Sequence, residues 1–431
     1  MKRRTWLLSA LGATGALIVG WGALPQRSRM GKPSLLALEQ GEVAFNGWIK
    51  IAADGSVVMA MPRAEMGQGV HTALPMLVAE ELDIPLSQVR IEQAGADSIY
   101  GNVSMMLADV SGHPMASEGP DGMPYTVRLK RHLMGKVARE LGINATGGSS
   151  SVADAWGPVR LAAATVRASL LGAAAAQWKL PVAELTIQGG KVMHASGKSA
   201  TLAELASAAA QHSPSEVTLK PRASWKLLGT PAQRADIPSK VNGTAQYGLD
   251  VRLPGMLYAA LRQCPMLGGD LTPVDTKQLE GKPGVDQLVM LPAFAGSTAG
   301  VAVVARSWWQ AQQAALGLKV DWLAPASGKL DTKIIAEALE TVARRGGGKT
   351  FFSAGNVKDA ESFSATTVES LYSAPYLAHA TLEPMNCTAR VADGKVDIWA
   401  PTQVPQLARA AAAKVAGVDV EQVTLHQTLL G

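Results

Sequence analysis

Arg63-Ala64-Glu65-Met66-Gly67-Gln68-Gly69-Val70-His71-Thr72 is the stretch from which the rest of the chain can be read. It follows a strand-like run over 56–61 and precedes a helix-like run over 70–82, so Gln68 stands on a glycine-flanked turn. Glycine lets backbone approach a ligand closely, and a helix start carries N–H groups without intrahelical partners. The side-chain amide adds a donor and an acceptor. Such a turn suits a large polar ligand. A Gly-x-Gly before a helix is also an ordinary turn, and these ten residues alone leave both readings standing.

An internal echo bears on the choice. A hairpin around Asp54-Gly55 leads to Pro62, Gln68, a helix-like stretch and the exit Asp83-Ile84-Pro85-Leu86-Ser87-Gln88-Val89. The same order returns around Asp393-Gly394, with Pro401, Gln403, a helix-like stretch and Asp419-Val420-Glu421-Gln422-Val423. Asp-Gly suits the left-handed angles of a tight hairpin. Two copies of hairpin, glutamine loop, helix and strand suggest two halves facing one ligand from opposite sides. Strand-turn-strand-helix also recurs in unrelated α/β proteins.

With 431 residues, 47% of them apolar, the chain can bury several cores, and one domain is not expected. The formal charge of +5 is spread out, with no basic block beyond the first four residues and 5% aromatics, which argues against a nucleic-acid surface. Met1-Lys2-Arg3-Arg4 followed by an uncharged run over 6–24 resembles a twin-arginine export signal, either removed or kept as a membrane anchor. The expected location is the periplasm or the periplasmic face of the inner membrane. Cys264 and Cys387 lack the Cys-x-x-Cys spacing that holds zinc or iron–sulfur clusters. Two buried free thiols are expected, a disulfide being the alternative. Any iron–sulfur cluster that serves this protein would sit on another chain, and no side-chain metal set is read.

Within 70–82, Val70, Leu74, Leu77 and Val78 form one stripe, so the helix is expected on a sheet, with Glu80 and Glu81 off that stripe and Gln68 turned toward the open end. His71 reads as structural. The loop over 95–125 carries Met105, Met106, Met115 and Met123, an apolar entrance or surface decoration. A helix over 127–141 leads to Gly147-Gly148-Ser149-Ser150-Ser151 and a second helix from Val152, with Asp154 in its first turn. Freed N–H groups and three hydroxyls there make a cradle for phosphate or pterin oxygens, or a plain capped helix start. Further on, the pattern predicts helices over 162–178 and 202–211, a strand over 185–192, and a linker over 214–235. A mixed domain follows, with strands over 287–291, 300–305 and 319–322 and a helix over 307–316. A polar helix over 332–345 precedes strands over 366–372 and 380–387.

Glu65-Met66-Gly67-Gln68-Gly69-Val70-His71, the join over 237–257, Leu382-Glu383-Pro384 and Thr402-Gln403 together resemble the molybdenum-cofactor-binding large subunit of the xanthine dehydrogenase and aldehyde oxidase superfamily. The export signal, the early glutamine loop and the Gly147–Ser151 cluster are most similar to the isoquinoline 1-oxidoreductase beta-subunit and membrane-bound aldehyde dehydrogenase type. The resemblance implies an α+β, multi-domain molybdenum hydroxylase fold: a signal or anchor over 1–30, a molybdopterin-binding α/β domain over 43–233, an α/β hammerhead domain over 234–325, and the incomplete start of a second molybdopterin-binding domain over 326–431.

It further implies molybdenum–molybdopterin cytosine dinucleotide as cofactor, with Met66, Gly67, Gln68, Gly69, Gly147, Gly148, Ser149, Ser150 and Ser151 against the pterin or its phosphates. Gln403 would face the oxo ligand. The implied reaction oxidises an N-heterocycle or aldehyde with water as oxygen source, passing electrons to a small [2Fe-2S] subunit and on to a cytochrome c. The family continues into a Gly-Gly-Phe-Gly loop and a later Gly-x-Gly-Glu whose glutamate is the general base. This sequence contains neither, and neither Glu65 nor Glu383 takes that glutamate's place. The expectation is therefore the amino-terminal portion of a catalytic subunit, inactive alone. One half of a split enzyme and a non-catalytic, envelope-anchored remnant are the alternatives.

Overall fold

The computed structural model describes residues 25, 27–110, 123–325, 331–350 and 353–431. The export-signal reading falls almost wholly outside these residues, as does Met115. The chain divides into two compact units, Met1–Asp250 with Leu382–Gly431, and Val251–Thr381.

The first unit starts with β1 (Val43–Ala44), β2 (Ile49–Ile51), β3 (Val57–Met61) and β4 (Val89–Gln93), hydrogen-bonded in that order. Neighbours are antiparallel except β3 and β4, which run parallel, as a strand–helix–strand crossover requires. The crossover is the expected helix, Val70–Leu82. Every residue of β3 is buried, which suits a strand covered on both faces. Val70, Leu74, Leu77 and Val78 all enter the core. Glu80 and Glu81 are buried as well, contrary to the simplest reading of the stripe. Glu81 pairs with Arg160 and Arg167, both at 2.6 Å, and Glu80 accepts from the backbone N–H groups of Lys226, Leu227 and Leu228. These carboxylates strap the 218–228 segment to the helix. Trp225-Lys226-Leu227-Leu228 forms no strand and is held by these hydrogen bonds to Glu80 instead.

Ser151–Trp178 is one helix of 28 residues where the sequence suggests two. Pro158 lies inside it and cannot donate to the carbonyl four residues back. That carbonyl, of Asp154, accepts instead from Arg29 Nη1 at 3.3 Å, and the helix runs on. Its length and composition would suit a membrane span, but 67% of its most apolar window is buried within the protein, so it is a core helix. Alanines 155, 162, 163, 173 and 174 keep its buried face narrow and let neighbours approach closely. β5 (Leu185–Gln188), β6 (Lys191–His194) and β7 (Ser199–Thr201) form a small antiparallel sheet. Gly189 and Gly190, at φ 54° and 79°, turn the single expected strand into a hairpin. The Leu202–Ala210 helix begins with a capping box between Thr201 and Glu204.

In the second unit β8 (Tyr258–Gln263), β10 (Val285–Leu291) and β11 (Gly300–Ala305) form an antiparallel sheet in the order β10-β11-β8, and β9 (Asp270–Leu271) pairs with β12 (Trp322–Leu323). The Trp308–Gly317 helix contributes Ala311, Ala314 and Ala315 to a core with Val301 and Val303. Thr332–Arg345 is helical as expected, with none of its residues buried. The strands expected over 366–372 and 380–387 do not form; those residues have no strand neighbour to satisfy their backbone groups.

β13 (Thr388–Ala392) and β14 (Lys395–Ala400) form the second hairpin, with Asp393 and Gly394 at φ 51° and 71°. The Pro405–Ala416 helix then crosses to β15 (Val423–Gln427), parallel to β14. This repeats β2-β3-helix-β4 element for element. Both cysteines are free thiols: Cys264 is buried as expected, whereas Cys387 is exposed.

Candidate functional site

Glu65 is the residue around which the first glutamine loop closes. Its buried carboxylate accepts from the N–H groups of Gly67, Gly69 and His71, each at 2.9 Å. Gly69, at φ 83°, is the N-cap of Val70–Leu82 and brings no capping side chain. Glu65 therefore caps the helix from upstream. The His71 ring reaches back 3.0 Å from Nε2 to the Arg63 carbonyl, and burial pushes its pKa down, so it serves this contact as a neutral donor.

The Gln68 carboxamide is not turned outward as expected. Its Oε1 accepts from Met66 N–H and its Nε2 donates to the Ala64 carbonyl, both at 2.8 Å. A turn this tight leaves two backbone groups without partners, and the amide satisfies both locally. What faces outward is the rim formed by Met66, Gly67 and Gln68, all exposed. A Cβ added at Gly67 would meet nothing within 4 Å.

The glycine–serine cluster lies beside this loop through Thr146. Thr146 Oγ1 accepts from Ala64 N–H at 2.9 Å. Beyond it Gly148 and Ser149 take φ 59° and 53° and are exposed. Ser150 is buried, its hydroxyl donating to the Gly147 carbonyl and accepting from Asn102. It therefore cannot cap the Ser151–Trp178 helix, and among the described residues the N–H groups of Ser151, Val152 and Ala153 meet no acceptor. Of the three serines, Ser149 is open, Ser151 half-buried and Ser150 spent on the fold.

Gln403, from the second repeat, reaches the same place. Its Nε2 donates to the Thr146 carbonyl at 2.7 Å, and Thr146 N–H donates to the Gln403 carbonyl at 2.9 Å. One amide hydrogen and Oε1 remain for a ligand. Thr146 thus joins all three predicted segments, the loops of Gln68 and Gln403 and the Gly147–Ser151 turn. Leu430 N–H adds a further tie to the Glu65 carbonyl.

Beneath them is a buried charge cluster. Asp154 holds Arg63 at 2.7 Å and Arg29 at 2.8 Å, and accepts from the N–H groups of Val103 and Ser104. Arg63 also donates to Asn144 and to the Tyr100 carbonyl, and burial pushes its pKa down to about 10. Asp154 drew notice in the sequence only as a first-turn acid. Glu65, Thr146 and Arg234, which braces the loop by donating to Gly67 O at 2.7 Å, were missed. The one available signal was an acid two residues before a Gly-x-Gly that opens an uncapped helix.

Two family models, both described as a molybdopterin cofactor-binding domain, match residues 10–108 with 127–251, and 343–431. The beta chain of isoquinoline 1-oxidoreductase from Brevundimonas diminuta is 30% identical over 100% of this chain and 55% of its own length. A nicotinate dehydrogenase subunit from Pseudomonas putida is 29% identical over 96% of this chain and 32% of its own. A membrane-bound aldehyde dehydrogenase of Gluconacetobacter polyoxogenes is 27% identical over 100% and 51%. The chain thus spans about half the length of two of these relatives and a third of the other.

Proposed function

The chain belongs to the molybdopterin cofactor-binding family of the xanthine dehydrogenase and aldehyde oxidoreductase proteins, and from that membership we propose that it is the molybdopterin-binding portion of an exported molybdenum hydroxylase. Its substrate class is an N-heterocycle or an aldehyde. The cofactor is the cytosine dinucleotide form, the electron acceptor a separate [2Fe-2S] subunit that passes electrons to a cytochrome c, and residues 234–325 are the hammerhead domain.

The residues present fit such a group. A flat, anionic, oxygen-rich ligand needs donors on more than one side and no side-chain bulk between them. The exposed rim at Met66, Gly67 and Gln68, with Gly69 half-buried beside it, gives the open face. Gly147, Gly148, Ser149 and Ser151, with the uncapped N–H groups that follow, give donors suited to phosphate oxygens. Gln403 offers its second amide hydrogen. Ser150 supports the turn rather than the ligand.

When bound, the molybdenum–pterin group supplies hydroxylation by water with two-electron oxidation. The chain's own share is to hold and orient it. Among the described residues no glutamate base stands at this site, since the Glu65 carboxylate is buried and accepts three N–H bonds. General-base help of about 10²–10⁴-fold would have to come from a group other than Glu65.

The observation that carries this reading is Thr146, whose three hydrogen bonds join the two glutamine loops to the glycine–serine turn. The experiment is metal and pterin analysis of the full chain purified with its iron–sulfur partner. Molybdenum and pterin at comparable amounts per chain support the proposal. A folded chain with neither is the inert remnant, and metal bound only when a second polypeptide co-purifies is the split enzyme.

A further inference from the structure

In a glycine-rich turn that opens a helix, converging N–H groups ordinarily make a nest for an external anion. Here the nest is already filled from within. The Glu65 carboxylate takes Gly67, Gly69 and His71 N–H, and it is 1% exposed. Arg234 fixes the arrangement, with Nη1 on the Gly67 carbonyl at 2.7 Å and Nη2 3.4 Å from Glu65. Arg234 is itself gripped by both oxygens of Asp236, at 2.9 and 2.6 Å, and Lys240 holds Asp236 at 2.6 Å.

The inventory that remains is short. Among the described residues Gln68 N–H and Val70 N–H have no acceptor, and the Met66 and Gln68 carbonyls have no donor. That is a rim of alternating donors and acceptors whose converging N–H groups are already taken by Glu65. It leaves no nest for phosphate and matches the edge of an uncharged heterocycle.

We propose that Glu65, braced by Arg234, is the positioning residue of the Gln68 loop, an internal anion that reserves the rim for a neutral ring edge and excludes phosphate from it. The ligand named here rests on the cofactor reading above; the positioning of the loop does not.

The test uses the full chain, first without cofactor, by amide exchange with Glu65→Gln and Arg234→Gln. Glu65→Gln turns one acceptor oxygen into an NH2 and removes the charge from the other, so exchange should speed at Gly67, Gly69 and His71, by about tenfold or more at the N–H groups that face the new NH2, with the amides of Ser151–Trp178 unchanged. Inorganic phosphate should not slow exchange at the loop of the parent chain. Unaltered loop exchange in Glu65→Gln, or protection of the parent loop by phosphate, overturns the inference. With cofactor, Arg234→Gln should lower retained pterin by about tenfold and Arg234→Lys should recover part of it. A double-mutant cycle with Gln68→Ala should be non-additive, whereas a merely structural role for Arg234 gives additive losses. Pterin absent from the parent chain sinks the cofactor reading and the ring-edge assignment with it, while the exchange data still decide the positioning.

Discussion

Thr146 and Gln403, 257 residues apart, hold each other by two hydrogen bonds, Thr146 N–H to the Gln403 carbonyl and Gln403 Nε2 to the Thr146 carbonyl. The threonine hydroxyl spends its acceptor on Ala64 N–H, which is buried. Thr146→Val is isosteric but strands that N–H, and the expected loss is about 1–3 kcal/mol. Thr146→Ser should cost less, because the acceptor stays. Gln403→Ala removes an exposed side chain but keeps the backbone bond, and should cost under about 1 kcal/mol. Denaturant midpoints of the three variants check the ranking.

Asp154 is the anion on which the cluster beneath these loops depends. Arg63 is fully buried beside it and Arg29 partly so. Asp154→Asn leaves two guanidinium groups without their counter-charge, and the expected cost is about 3–5 kcal/mol. Arg29→Gln leaves the Arg63 pair intact and should cost markedly less. Thermal unfolding of both variants decides, with equal losses counting against the account.

Much of this was legible in the sequence because it is local. The Val70–Leu82 helix announces itself by its apolar spacing, and the second hairpin by Asp393-Gly394 at its tip. The repeat could be seen because the same short signals recur in the same order. What was hidden depends on partners distant in the chain. Glu80 and Glu81 looked like solvated acids until Arg160, Arg167 and the 218–228 strap arrived to cover them. The continuity of Ser151–Trp178 was hidden because Arg29, which takes the carbonyl that Pro158 leaves free, lies far upstream. At the candidate site the glutamines stood out and their organisers did not, since Glu65 and Thr146 act through backbone groups that carry no sequence signature.

Acid should loosen the strap at Glu80 before it unfolds the chain. Burial pushes the Glu80 pKa up, but the N–H groups of Leu227, Leu228 and Lys226 outweigh it and hold the carboxyl below its ordinary value of 4.5. A carboxylate whose folded pKa is depressed contributes stability above the unfolded value, and loses it as pH falls through the folded one. Stability measured by urea at a series of pH values should therefore fall below about pH 4.5. Glu80→Gln should flatten that part of the profile and, at neutral pH, speed amide exchange at residues 226–228. A variant profile as steep as the parent's refutes the assignment.

Two helix C-caps separate backbone strain from crowding. Gly142, which ends the Tyr125–Leu141 helix, and Gly417, which ends Pro405–Ala416, sit at φ 56° and 67°. Alanine in the left-handed region costs about 1–2 kcal/mol at either. A Cβ at Gly417 meets nothing within 4 Å, whereas at Gly142 it would stand 2.3 Å from Ser98 Cβ and 2.6 Å from its Cα. Backbone cannot step aside as a side-chain tip can, and overpacking adds about 1–3 kcal/mol. The damage should also spread, because Gln406 of the second repeat donates to the Gly142 carbonyl and to Ala96, and accepts from Asn144 N–H. Gly142→Ala should therefore lose more stability than Gly417→Ala and raise exchange at Asn144, while Gly417→Ala leaves that amide as it was. Equal losses in the two variants would mean that the close approach of Ser98 to Gly142 contributes nothing to how the repeats are joined.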